Sequence, residues 1–180
     1  FLAVRIEALH RSGLIADAAK VMAGAPVEGA PPLIEAMRAR AAIGAGEHEQ
    51  GCAHARNLAA RREALPEGLR AEVLLFAGYC AAVTGNAAAV GLAADLAREE
   101  GKDGTLGLQV LEAVAAGAKP KLVLPKELTL TDYRLLEAAG LANPADIIDR
   151  GEPALVARLA VDERLEPRHR VRAAREGGSR

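Results

Sequence analysis

The segment Glu47–Ala55, which reads E-H-E-Q-G-C-A-H-A, holds the densest group of side chains that could bind a metal. It contains two of the four histidines and one of the two cysteines. On a helix, His48 and Cys52 are four residues apart and share a face, whereas His54 points away, towards the side of Glu47. Structural zinc needs four converging ligands, and catalytic zinc usually needs three and a water. We therefore predict no metal site here.

The two cysteines are candidates for thiol chemistry. His48 is the one base on the face of Cys52, and no third side chain in the segment orients it, so we predict no activated nucleophile. Cys80 falls on an apolar stripe and is predicted to be a packed thiol. Two cysteines make no disulfide framework, so the redox compartment stays open. The segment is interpreted as one helix of a repeat, with Cys52 near a helix seam and both histidines at its solvent edge.

No other motif in the sequence indicates catalysis or cofactor binding. The adjacent carboxylates Glu99–Glu100 and Asp162–Glu163 diverge by about 100° on a helix, so they are interpreted as solvated helix ends. No phosphate-binding glycine loop, dinucleotide fingerprint or serine nucleophile elbow occurs in the sequence. We predict no catalytic residue, no cofactor and no enzyme activity.

The C-terminal run R-H-R-V-R-A-A-R is the most distinctive charge feature. Arg168, Arg172 and Arg175 are spaced i, i+4, i+7 and form a basic ridge on one helix face. A phosphate-binding surface needs such charge, preferably with aromatic side chains for stacking, and this segment has none. Nearby glutamates, among them Glu166, can neutralise part of the ridge. A solvated, ion-paired helix is the main interpretation, and contact with nucleic acid, with anionic lipid or with a further repeat is the alternative.

Composition predicts that these side chains lie on an all-α scaffold. Of 180 residues, 51% are hydrophobic and only 2% are aromatic, and alanine, the strongest helix former, is the commonest. The net charge of −1 argues against a partner held by charge over the whole surface. No run of about 18 apolar residues is free of charge, so no membrane span is predicted. We expect a fragment of a larger bacterial protein, with localisation open between cytoplasm and periplasm.

Stop signals divide the chain into short amphipathic segments. In the clearest segment, 67–84, one apolar stripe consists of Leu69, Val73, Phe76, Cys80 and Val83. Asp103 and Asn143 are the predicted N-caps of the helices that follow them. We predict helices over residues 2–12, 14–23, 32–45, 47–62, 67–84, 87–100, 104–117, 131–139, 144–150, 153–162 and 167–176.

Three helix–glycine–helix junctions align on Gly13, Gly46 and Gly85, 33 and 39 residues apart, and a weaker fourth lies at Gly140. Small or short residues stand five positions before and after each of the three glycines. A tight glycine turn between small residues is what a helical hairpin needs. The pattern predicts antiparallel helical hairpins that stack into one continuous core.

Over residues of about 1–100, this pattern resembles the tetratricopeptide repeat, which has a period near 34 and a glycine at the end of its first helix. The family's Trp and Tyr positions are not aromatic here, its closing Pro is out of register, and the third unit is longer. The resemblance implies a short right-handed α-solenoid. Members of that family mostly hold peptides or partner domains and carry no catalytic residues.

The segment Lys119–Leu130, with Pro120 and Pro125 around three apolar residues, is predicted to be extended. It divides the chain into a hairpin repeat region at 1–118, a connector at 119–130 and a C-terminal helical region at 131–180 that packs on the repeats.

The function expected from these patterns is a non-enzymatic interaction module, or scaffold, whose partner is a protein or peptide. Candidate groove residues are polar positions on the first helices: Arg5, Arg38 and Glu72. One alternative is a helical accessory domain of a larger enzyme, for example a cell-wall-cleaving one, whose catalytic unit lies outside this chain. Another is a nucleic-acid-binding repeat that uses the Arg ridge. The last alternative is a purely structural or oligomerising domain.

Overall fold

A computed structural model describes residues 1–26, 29–101, 103–119 and 121–179. This part of the chain forms eleven α-helices and no β-strand, which confirms the predicted all-α class, and the helix boundaries differ from the predicted ones by up to three residues. None of the described helices is both long enough and apolar enough to cross a membrane. The helices are α1 Leu2–Arg11, α2 Ile15–Ala23, α3 Pro32–Ala45, α4 His48–Ala59, α5 Glu67–Val83, α6 Ala87–Glu99, α7 Leu106–Ala115, α8 Leu130–Ala138, α9 Pro144–Arg150, α10 Pro153–Val161 and α11 Pro167–Ser179.

Left-handed glycines end the helices at the predicted turns. After α3, the N–H of Glu47 donates to the carbonyl of Ala42 and that of Gly46 donates to Ile43, both at 2.9 Å, which is a Schellman cap. Only glycine adopts such a conformation without steric cost. The predicted turn glycines all have positive φ: Gly13 (+74°), Gly46 (+81°), Gly85 (+71°) and Gly140 (+67°).

One of the two predicted N-caps is confirmed. The Asn143 side chain accepts a hydrogen bond from the N–H of Ala145 at 3.2 Å, at the start of α9. Asp103 is not a cap, because α7 begins only at Leu106, and Thr105 accepts the hydrogen bond from the N–H of Leu108 instead.

The helices pack as consecutive hairpins. The pairs α1 and α2, α3 and α4, and α5 and α6 each pack together, and the first helices contact one another in the order α1, α3, α5, α7. The C-terminal helices then return onto this row: α8 contacts α3, α5 and α7, while α10 contacts α1, α3 and α8. The face shared by the first helices is therefore largely covered by the chain itself.

Two groups of buried side chains form the core. The larger group runs from α3 to α11 and includes Phe76, Leu111, Leu135 and Leu155. The smaller one joins α1, α2 and α3 around Ile6, Ala18, Met22, Ala25, Ile34 and Met37. The first hairpin thus has a core of its own.

The predicted connector contains no helix in its described part before α8; Pro120 lies outside the described residues. Leu128 forms an isolated parallel bridge with Gly151. Its N–H donates to the carbonyl of Arg150 at 2.7 Å, and its own carbonyl accepts from the N–H of Glu152 at 2.8 Å. These bonds fix the end of the connector beside the turn between α9 and α10.

Cys52 and Cys80 form a disulfide, so the prediction of Cys80 as a packed thiol is wrong. The Cα atoms are 5.7 Å apart, within the usual range for a bridged pair. The two residues belong to neighbouring hairpins and are 28 residues apart in sequence, and it is the packing of α4 on α5 that brings them together. The predicted stripe of α5 is buried at Leu69, Val73 and Phe76, whereas Val83 is 41% exposed.

Candidate functional site

The two histidines of the opening segment pair with different helices. His48 Nδ1 shares a hydrogen bond with the Tyr79 hydroxyl of α5, and His54 Nδ1 lies 2.8 Å from Glu35 Oε1 of α3. Both rings are half-buried, which is compatible with their predicted position at the solvent edge of the helix seam. Within the described residues, no group of three or more His, Cys, Asp and Glu side chains could hold a metal ion.

Arg38, a predicted groove residue, caps a helix end. Its guanidinium donates to the carbonyls of Met22 (3.3 Å), Ala25 (2.9 Å) and Pro26 (3.1 Å), at and just beyond the end of α2. The side chain is only 13% exposed. A cation in this position complements the negative end of the helix and satisfies its last carbonyls.

Of the other two predicted groove residues, Arg5 lies exposed on α1, and Glu72 lies on α5 in an ion-pair network. Glu72 Oε1 accepts hydrogen bonds from Arg40 Nε (2.9 Å) and Nη2 (2.7 Å), and Arg40 Nη1 donates to Glu7 Oε2 at 2.9 Å. Sequence reasoning missed Arg40 and Glu7. Their spacing could have identified them, because Glu7, Arg40 and Glu72 are 33 and 32 residues apart, close to one repeat. Residues one repeat apart lie side by side on successive first helices.

The Arg ridge lies on α11 and is partly neutralised. Arg168 Nε is 2.7 Å from Glu166 Oε2, as the sequence suggested, and Arg172 pairs with Asp149 of α9. Arg175 is exposed. The ridge therefore presents less positive charge than the sequence alone implies.

A buried ionic cluster joins the C-terminal helices to the end of α3. Arg134 is fully buried, donates from Nε and Nη2 to the carbonyl of Gly44 at 3.0 and 2.8 Å, and pairs with Glu137 at 2.6 Å. Arg158 donates to the carbonyl of Ala45 at 2.7 Å. These groups satisfy the last carbonyls of α3 and hold α8 and α10 in place.

Asp162 completes this cluster and is 3% exposed, so its prediction as a solvated helix end is wrong. It accepts hydrogen bonds from Arg164 Nε (2.9 Å) and Nη2 (2.6 Å), which lower the pKa of its carboxyl group to about 2. Burial raises the pKa of Tyr79 and of Tyr133 to about 12. These groups stay in one protonation state near neutral pH, which is typical of a structural cluster.

A cleft of about 580 Å³ opens between α1, α3 and α5 on one side and the segment 127–132 with the start of α10 on the other. Arg11, Arg40 and His10 line it together with five carboxylates: Glu7, Glu72, Glu127, Asp132 and Glu152. The cleft is the part of the first-helix face that α8 and α10 leave open.

The carboxylates of the cleft differ in their surroundings. Burial raises the pKa of Glu152, which accepts a hydrogen bond from the N–H of Leu130 at 3.0 Å. That bond and the charge of Arg40 oppose the increase, while the negative charges of Glu127 and Asp132 add to it. Negative charge is therefore concentrated where the segment 127–132 meets the start of α10.

His10 lies in the wall of the cleft and is 8% exposed. Its Nε2 has no hydrogen-bond partner within the described residues. Burial, followed by the charge of Arg40, lowers the pKa of His10, so its imidazole is neutral near pH 7. The same ring borders a second cleft of about 430 Å³ between α2, α3 and α4.

The Thr129 hydroxyl in the lining of the first cleft donates to Asp132 Oδ2 at 2.8 Å, and this pair is the capping box at the start of α8. The charged and polar side chains of the cleft suit binding. Its volume falls within the range of ligand sites in proteins. Comparison of the chain with protein-family models, with curated proteins and with solved structures gave no match.

Proposed function

We propose that the chain is a non-enzymatic interaction module that holds a segment of a partner protein in the cleft between α1, α5 and the segment 127–132. The observation that carries this proposal is the cleft of about 580 Å³ on the face of the first helices, where the packing of α8 and α10 stops. Helical-hairpin stacks of the kind the sequence resembles hold peptides on such faces.

Contacts between distant parts of the chain support the proposal because they make the cleft rigid. The network Glu7–Arg40–Glu72 ties α1, α3 and α5 together along its floor. On the opposite rim, the turn at Gly13 meets the start of α10 so closely that an added Cβ would lie 3.2 Å from the carbonyl oxygen of Pro153. A preformed cleft binds without the entropic cost of ordering its walls.

The other sequence-based hypotheses gain less support. A helical accessory domain of an enzyme would use the same cleft to hold its partner, so it differs from the proposal only in what lies outside the chain. A nucleic-acid-binding function needs an unpaired basic surface, whereas Arg168 and Arg172 are paired with Glu166 and Asp149.

Gly68 allows a direct test. It lies in the first turn of α5 in the cleft wall, and a Cβ added there meets nothing within 4 Å. Gly68→Gln places a side chain in the cleft, whereas Gly68→Ala changes the same backbone position and leaves the cleft open. Peptides are selected on the wild-type protein from a random-sequence display library, and their affinities for all three proteins are measured by fluorescence anisotropy.

We expect the selected peptides to bind the wild type and Gly68→Ala about equally, and Gly68→Gln about ten-fold more weakly or worse, a loss of about 1.4 kcal/mol. Circular dichroism establishes that both variants keep their helices. Peptides that bind all three proteins alike, or a library that yields no binder, would refute the cleft as the partner site.

A further inference from the structure

We infer that the cleft selects a basic segment, with a lysine or arginine side chain inserted beside Glu127, Asp132 and Glu152. The inference rests on the proposed function and adds the chemistry of the partner. It concerns the side of the cleft formed by the segment 127–132 and the start of α10.

The charges of the cleft are unbalanced. Five carboxylates stand against two guanidinium groups, and both guanidiniums are already engaged. Arg40 bridges Glu7 and Glu72, and Arg11, whose side chain is 75% exposed, bonds to Glu7 at 3.0 Å. The other three carboxylates form no ion pair with any cation of the described residues. A cationic ligand would relieve their mutual repulsion.

His10 gives an independent indication of a ligand. A buried polar atom without a partner costs about 1 to 3 kcal/mol, and Nε2 of His10 is such an atom, in a ring that borders both this cleft and the one between α2, α3 and α4. A neutral imidazole presents a lone pair to a donor, and the ammonium of lysine and the guanidinium of arginine carry only donors. A basic side chain matches both the carboxylates and this imidazole.

The rest of the lining suits the aliphatic part of such a side chain. Gly68 and Gly107 contribute no side chains, and Leu75 and Pro153 contribute apolar surface. Lysine and arginine bury their methylene stems against apolar surface while the charged end reaches polar groups. An acidic segment would meet like charges, and a neutral one would leave the three carboxylates without a cation, although Asp132 and Glu152 accept hydrogen bonds from Thr129 and Leu130.

Two synthetic peptides test the inference: one with three lysines separated by Gly-Ser spacers, and the same peptide with glutamines in place of lysines. Fluorescence anisotropy at low salt is expected to give at least ten-fold tighter binding of the lysine peptide. Raising the salt from about 0.05 to 0.5 M is expected to weaken its binding about ten-fold or more, because exposed charges are then screened. Equal binding of the two peptides would overturn the inference.

A charge reversal locates the site. Glu127 is exposed and makes no ion pair in the described chain, so Glu127→Lys changes charge without removing a structural contact. Glu99→Lys, at the exposed end of α6 and outside the cleft, alters the net charge by the same amount. We expect Glu127→Lys to weaken binding of the lysine peptide about ten-fold and Glu99→Lys less than about two-fold. Equal losses would mean that net charge alone attracts the peptide, which would overturn the inference.

The inference and the proposed function fail in different ways. Library peptides that need an open cleft but contain no basic residues would refute the basic partner and leave the interaction module standing. If no peptide distinguishes Gly68→Gln from Gly68→Ala, the proposed function fails, and the inference fails with it.

Discussion

Asp162 is a single buried charge on which the packing of the C-terminal helices depends. Besides its three hydrogen bonds from Arg164, one from the backbone N–H and two from the guanidinium, it lies 3.6 Å from the fully buried Arg134. Asp162→Asn is expected to lower the free energy of unfolding by roughly 3 kcal/mol, because Arg134 keeps its charge and loses part of its compensation. Urea unfolding measures the change. Arg168→Gln, which removes an exposed ion pair with Glu166, is the matched control and should cost less than about 1 kcal/mol.

The carboxylate of Asp162 also makes the free energy of unfolding depend on pH in the acidic range. The pKa of Asp162 is lowered from 3.8 to about 2, so its contribution is fully present above pH 3.8 and is lost as the pH falls towards 2. That difference corresponds to about 2 kcal/mol. Between about pH 4 and pH 2, the wild type should therefore lose more stability than Asp162→Asn. Parallel losses in the two proteins would contradict the assigned ion pair.

Most of these residue-level partnerships lie beyond what a single sequence can reveal. His48, Cys52 and His54 lie on one helix, so their spacing alone shows that their side chains do not converge. Their partners Tyr79, Cys80 and Glu35 lie on other helices, 19 to 31 residues away. Only the repeat period could have linked such positions, as it does for Glu7, Arg40 and Glu72.

Helices and their turns, by contrast, are local features, and the sequence predicts them well. Amphipathic spacing and glycine stops located every described helix, and the turn glycines have the required left-handed backbone. The exception at Asp103 is also local: the start of α7 shifted by two residues, so Thr105 became the cap. What the spacing could not predict is which helices meet, above all the return of α8 and α10 onto the first hairpins.

Gly85 ends α5 with φ of +71°, and an added Cβ would touch nothing within 4 Å. Gly85→Ala therefore isolates the backbone cost of a left-handed residue, and we expect a loss of about 1 kcal/mol in the free energy of unfolding. Gly68→Ala, inside the same helix with an ordinary φ, should instead stabilise the protein by up to about 1 kcal/mol. Urea midpoints give both values. Effects of the same sign would contradict the assignment of Gly85 as a left-handed cap.

The Cys52–Cys80 disulfide staples α4 to α5, and so joins the second hairpin to the third. It closes a loop of 28 residues, for which the chain-entropy estimate of stabilisation is roughly 3 to 4 kcal/mol. We expect a phosphine reductant to lower the urea midpoint of the wild type to that of Cys52→Ala/Cys80→Ala, and to leave the double variant unchanged. A wild type that responds no more than the double variant would show that the bridge does not form in solution.

At the scale of the whole molecule, the important feature is that the chain covers most of its own first-helix face. Leu130, Tyr133, Leu135 and Leu136 of α8 are buried in the same core as α3, α5 and α7. The C-terminal helices are therefore part of the fold, and the cleft is what they leave open. If α8 detached at a low free-energy cost, a much longer groove would be available to a partner. The stability of α8 on the core therefore decides which surface can bind.

Hydrogen exchange under increasing urea tests this point. Because α5 and α8 share one core and Arg134 anchors α8 to the end of α3, we expect their slowest amides to exchange in a single unfolding step with the same urea dependence. Helices α1 and α2 rest mainly on the smaller core around Ile6 and Met22, so they should open at lower urea, about 2 kcal/mol or more below the global step. Mass spectrometry of peptic peptides resolves the three regions. Exchange of α8 at a lower free energy than α5 would contradict the shared core, and the partner site would then extend from the cleft along the whole row of first helices.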